Sequence, residues 1–188
     1  MFTRFLATAV LIGASGCGSA EPDPAADKVQ ATVTPSTGLF VADRPDDAPG
    51  VTEAKAAAKV GAPIRFLARV GGRPEPFITG TAVFVAADPS LLSCELMGEE
   101  DHCAVPWDYC CEDSTALRDG MVTVRLIDEH GDILRSTAEG MGGLEASKFI
   151  LVDGVVHDRN DDGLLIVDAS QIWVGGAPTR ADPMLGSR

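Results

Sequence analysis

Gly140-Met141-Gly142-Gly143-Leu144-Glu145-Ala146 lies between the third and fourth of five β-rich runs. Three glycines in four positions cannot propagate a regular element, and Leu-Glu-Ala are helix formers, so the segment fits a turn leading into a helical cap. On its N-terminal side, Ile64, Phe66, Ala68 and Val70 alternate with Arg65, Leu67 and Arg69. Residues 81–87 form a β-branched and apolar run, and residues 121–127 alternate again. On its C-terminal side lie residues 148–156 and 164–167, the latter extended by 172–174. Such alternation is the period of a half-buried strand. Five strands with this break between the third and fourth predict a mainly β fold, a small Greek-key barrel of the OB type. A two-sheet β-sandwich is the rival. A short helix opens the domain, with Thr52 as N-cap, residues 54–59 as helix formers, and Gly61 and Pro63 as the stop. The barrel domain is thus expected over residues 51–176, followed by a tail at 177–188.

A long loop between the second and third strands carries Cys94, Cys103, Cys110 and Cys111, ending in His102-Cys103-Ala104-Val105-Pro106-Trp107-Asp108-Tyr109-Cys110-Cys111-Glu112. Irregular chain must offset an ordering entropy of about 1 to 2 kcal/mol per residue, so clustered thiols here mean a staple or a metal site. As disulfides, four cysteines allow three pairings. A bond between the neighbours Cys110 and Cys111 would be strained, which leaves each to pair with Cys94 or Cys103. As a metal site, four thiolates, or three with His102, suit zinc or copper(I). The spacing does not match the closely spaced pairs of common zinc modules, and the oxidising surroundings of an exported protein favour disulfides and no cofactor. A third reading, a thiol-disulfide enzyme, needs Cys110 or Cys111 exposed with a lowered pKa. Trp107 and Tyr109 are expected to plug the loop into the barrel.

Export is read from the start of the chain. Arg4 precedes an apolar run over 5–12, and the small residues Ala14-Ser15-Gly16 run into Cys17. The run is far shorter than the ~20 residues a bilayer requires, so residues 1–16 read as a signal peptide. Cys17 is the expected lipidation site, with Ala14 standing where the bacterial lipobox usually has Leu. Ordinary cleavage with a free cysteine is the alternative. Residues 17–50, rich in Pro, Ala, Asp, Ser and Thr, read as a lipid-anchored flexible tether. The localisation that follows is a cell-envelope membrane, with the domain facing the periplasm or the cell surface.

Charge narrows the partners. There are 15 Lys plus Arg against 28 Asp plus Glu, a net charge of −13. No Lys or Arg occurs from Pro74 through Leu117, whereas Glu75, Asp88, Glu95, Glu99, Glu100, Asp101, Asp108, Glu112 and Asp113 do. The loop should attract cations, and nucleic acid is not an expected partner. OB-folds grip single strands through aromatic and basic residues on the second and third strands, and here these offer Phe84 and Arg125 alone. Asp158, Asn160 and Asp162, followed by Gly163, form the first half of a calcium loop, but Ala169 stands where the closing carboxylate belongs, so a turn is the preferred reading. His130 and His157 read as turn or surface residues. No nucleophile elbow, phosphate-binding glycine loop or His-Glu-x-x-His is present.

Arg69-Val70-Gly71-Gly72 with Pro76-Phe77, Asp88-Pro89, the Pro106-Trp107-Asp108-Tyr109-Cys110-Cys111-Glu112 string, Asp128 with Gly131, and Gly154-Val155-Val156 through Ile172-Trp173-Val174 form a further pattern. It resembles an uncharacterised OB-fold lipoprotein family of planctomycete-type bacteria. The resemblance covers most of residues 51–176 and implies fold and location, and that family carries no established activity to transfer. The expectation is a non-enzymatic, lipid-anchored envelope protein, a binding or assembly module with an envelope protein or a small ligand as partner.

Overall fold

The alternating runs close into a barrel. In the computed structural model, which describes residues 38–96 and 103–177, the elements are β1 (Phe40–Val41), α1 (Val51–Ala57), β2 (Pro63–Val70), β3 (Val83–Ala87), α2 (Ser114–Gly120), β4 (Met121–Leu126), β5 (Phe149–Arg159) and β6 (Leu165–Val174). On β4 the apolar Val122, Val124 and Leu126 point inward and are buried, while Thr123 and Arg125 point out.

Strand pairing runs β2-β3-β4-β6-β5, and β5 pairs back onto β2, so the sheet has no open edge between them. All these pairs are antiparallel except β4–β6, which is parallel. This is a closed five-stranded OB-like barrel with one additional strand, as the break at residues 140–146 predicted. A sandwich would leave β2 and β5 in separate sheets, whereas they pair from Pro63 opposite Val155 to Arg69 opposite Phe149. Phe66, Phe84, Leu126, Ile150 and Ile172, all fully buried, fill the interior. The long β5 serves both neighbours by bulging between Asp153 and Gly154 and again between Val156 and Asp158. A Cβ on Gly154 would lie 2.5 Å from the Asp168 carbonyl oxygen, so the first bulge requires glycine.

Several boundaries differ from the sequence reading. The expected helical cap is a single 3-10 turn, Met141–Gly143. Gly140, Gly142 and Gly143 all adopt positive φ, which stops an α-helix, and Leu134, Ala138 and Leu144 complete the plug instead. Helix α1 starts two residues earlier than expected, with Gly50 and not Thr52 at its N-cap, and stops at Ala57. The last run and its extension at 172–174 form one strand, β6, as expected. Helix α2 was not anticipated. Residues 38–50, read as the end of the tether, instead belong to the packed domain: Leu39 is buried, β1 pairs parallel with Ile172 and Trp173 of β6, and Gly50 bridges to Leu67. The expected signal peptide at 1–16, the expected lipidation site Cys17, the remainder of the expected tether and the tail from 178 lie outside the described residues. Among those described, no helix is long and apolar enough to cross a membrane.

Candidate metal centre

Between β3 and β4 the chain leaves the barrel and returns through α2, and individual side chains hold it. At the exit, the buried Asp88 accepts hydrogen bonds from the Ser90 N–H (2.8 Å) and hydroxyl (2.6 Å) through Oδ1, and from the Thr52 N–H (2.7 Å) through Oδ2. Its carboxylate thus caps α1 from a distant part of the chain. At the return, Asp113 caps α2 by accepting from Thr115 and Ala116 N–H, which holds its carboxyl below the usual range. Lys55 Nζ donates to the carbonyls of Arg118 and Met121 at 2.8 Å each, closing the other end of α2. Burial draws that ammonium below its ordinary value.

The middle of the loop docks on β2. Trp107 donates its indole N–H to the Pro74 carbonyl (3.0 Å), and its own carbonyl accepts from Gly72 N–H (2.8 Å). Backbone approach this close needs a residue without a side chain at position 71, where a Cβ would fall 2.7 Å from the Trp107 carbonyl oxygen. Tyr109, in the left-handed region at φ 59°, is fully buried. Arg69 lies beneath it, with its guanidinium carbon 5.6 Å from the Tyr109 ring centre and 5.9 Å from that of Phe149, while Nη1 donates to Ser93 Oγ at 2.8 Å. A buried cation between two aromatic faces, with a charge-assisted hydrogen bond to the loop, grips Ser93 on one limb and Tyr109 on the other. Each of these residues immediately precedes a cysteine. Leu92 N–H donates to Glu112 Oε2 (2.9 Å) and ties the limbs together.

The thiols converge as a result. Cys110 Sγ lies 3.5 Å from Cys94, 3.7 Å from Cys103 and 3.9 Å from Cys111. The sulfurs of Cys94, Cys110 and Cys111 all fall within 4.8 Å of one another. With a metal–sulfur bond of about 2.3 Å, a tetrahedral thiolate shell has sulfurs about 3.8 Å apart, so the spacings around Cys110 are those of donors sharing one ion. This three-cysteine group can hold a metal ion. Cys94 is buried, Cys103 half-buried, and Cys110 and Cys111 exposed. Burial pushes the Cys94 thiol up to about 11, and its hydrogen bonds with Cys110 and Cys103 add to the effect. The hydrogen bond with Cys94 pulls the Cys110 thiol down, but its bonds with Cys103 and Cys111 outweigh this and leave it raised.

The four loop cysteines are therefore brought together as the sequence suggested, and Tyr109 is the plug expected of it. His102 lies outside the described residues. The calcium half-loop lies in the β5–β6 hairpin turn, where Asn160 Oδ1 accepts from Leu164 N–H at 2.8 Å; Asp158 and Asp162 flank it, exposed. His130 is in a turn organised by Asp128, whose carboxylate accepts from the N–H groups of His130 and Asp132. His157 is on the barrel exterior, 3.2 Å from Asp168, which also holds Arg125 in a bidentate pair. Phe84 is in the core and Arg125 is paired, so neither stands free as a stacking or phosphate-binding group on the face of β3 and β4. Sequence reasoning missed Arg69 and Ser93. An arginine on the second half of an otherwise apolar strand was the available signal for the first. Compared with protein-family models, curated proteins and solved structures, the chain has no match.

Proposed function

We propose that the protein is an exported, lipid-anchored envelope module, not an enzyme, whose cysteine loop holds a soft metal ion, zinc or copper. The observation that supports this is the arrangement about Cys110, with three thiols at 3.5, 3.7 and 3.9 Å from one sulfur. Disulfides need sulfurs in pairs, whereas a hub with three near-equal neighbours suits a shared ion. The acidic, Lys- and Arg-free stretch around the loop favours capture of cations and disfavours nucleic acid. A thiol-disulfide enzyme gains no support, because such a nucleophile needs a lowered pKa and Cys110 is raised. Protein isolated without reductant should carry about one metal per chain, and its cysteines should become alkylatable on chelation alone. The second reading, a binding or assembly module clamped by disulfides, is favoured by the 3.5 Å approach of Cys94 to Cys110. It gives the opposite result: no metal, and thiols that appear only after reduction.

A further inference from the structure

The four thiols are not equivalent. Among the described residues, the group that can share an ion is Cys94, Cys110 and Cys111, and Cys103 is not part of it. Cys103 nevertheless lies 3.7 Å from Cys110, and its S–H donates to the Val105 carbonyl at 3.3 Å. A thiol thus stands beside the metal group and touches its central sulfur. Resting on the metal reading above, we infer that Cys103 is a redox trigger: an oxidising disulfide joins it to Cys110, and the new Cys103–Cys110 bond releases the ion.

Exposure and position assign the roles. Cys94 is buried, Cys103 half-buried and Cys110 exposed, so a dissolved oxidant meets Cys103 and Cys110 before Cys94. With an ion bound, Cys94, Cys110 and Cys111 are committed to it, and Cys103 is the cysteine of the loop that lies outside the shell. Cys110 is the partner within reach at 3.7 Å, and its own alternative, a bond to the neighbouring Cys111, would be strained. Cys110 is also the sulfur that lies 3.5 Å from Cys94 and 3.9 Å from Cys111. Drawing it into a disulfide removes the centre of the group and leaves two thiolates, too few to hold zinc. The oxidant is a small-molecule disulfide such as oxidised glutathione, which an oxidising compartment supplies. The Cys103 sulfur attacks it, forming a mixed disulfide and displacing one glutathione, which carries off the Cys103 proton. The Cys110 sulfur then attacks the Cys103 sulfur as its bond to the ion breaks, and the second glutathione leaves as thiolate. Two cysteines lose two electrons, one glutathione disulfide gains them, and the ion departs with its charge unchanged.

The test uses the full chain, reduced, loaded with one equivalent of zinc, and then exposed to oxidised glutathione while an indicator dye reports released metal. Wild type should release about one zinc per chain, peptide mapping should find Cys103 joined to Cys110, and a phosphine reductant should restore uptake. Cys103→Ser should slow release at least about tenfold while weakening zinc binding less than Cys111→Ser does, with circular dichroism confirming the fold of both. Release as fast in Cys103→Ser as in wild type, a mapped bond other than Cys103–Cys110, no release from wild type, or zinc affinity lost as heavily in Cys103→Ser as in Cys111→Ser would overturn the trigger and leave the metal reading standing. Uptake of neither zinc nor copper(I) by the reduced wild-type chain would remove both.

Discussion

The barrel and the cysteine loop are ordered by opposite means. In the barrel, the strands repeat the same two devices, a ladder of hydrogen bonds and an inward apolar row, and a single residue is decisive only where β5 bulges at Gly154. In the loop, order comes from a few long-range side-chain contacts, each used once: Asp88 to α1, Trp107 to Pro74, Glu112 to Leu92 and Arg69 to both cysteine-bearing limbs. Redundancy makes the first region tolerant and cooperative. Its absence makes the second region adjustable without endangering the first.

The largest break in this comparison should come from the barrel. Phe66→Ala empties a fully buried position and should cost about 3 to 5 kcal/mol, measured by denaturant unfolding, with both regions lost in one transition. A smaller and local effect is expected from Arg69→Met, which keeps the apolar bulk but removes the guanidinium between Tyr109, Phe149 and Ser93. It should cost about 2 kcal/mol and weaken metal binding roughly tenfold, with the barrel amides keeping their protection in hydrogen exchange. Loss of barrel protection in that variant would mean that the loop and the barrel are one cooperative unit. The smallest effect is electrostatic. In reduced, metal-free protein, Cys94 keeps its proton up to about pH 11, whereas an unfolded thiol loses it near its ordinary 9.0. Above pH 9 the folded state binds more protons than the unfolded one, so stability should fall as pH rises from about 9 to about 11. Cys94→Ser should flatten that slope, and equal slopes in the two proteins would remove this thiol from the loop's ordering.

The same contrast decides what could be read in the sequence. Barrel strands were legible because alternation repeats over several residues: Ile64, Phe66, Ala68 and Val70 announce β2, and Val122, Val124 and Leu126 announce β4. β6 was legible as a run at 164–167 extended by 172–174, although Ser170 and Gln171 interrupt its apolar pattern. β1 has two residues, too few for any period, and exists because Ile172 and Trp173 offer it an edge. Helix α2 had a local signal in Asp113 followed by Ser-Thr-Ala-Leu, but seven residues in a cysteine-rich loop gave no sustained helical period. For the site, the clustering of thiols was visible. The hub position of Cys110 was not, because it depends on Tyr109 taking a left-handed backbone over Arg69, a contact between residues forty positions apart.

β1 also has a mechanical meaning. Among the described residues, the two-residue strand is the only strand on the N-terminal side of α1, and it pairs with β6. A pull applied to the chain ahead of Gly38 reaches those few hydrogen bonds first, then the Gly50 bridge to Leu67, and only afterwards the closed strands. Peeling β1 away would free about ten residues, roughly 35 Å of extended chain, without touching the ladders of the closed barrel.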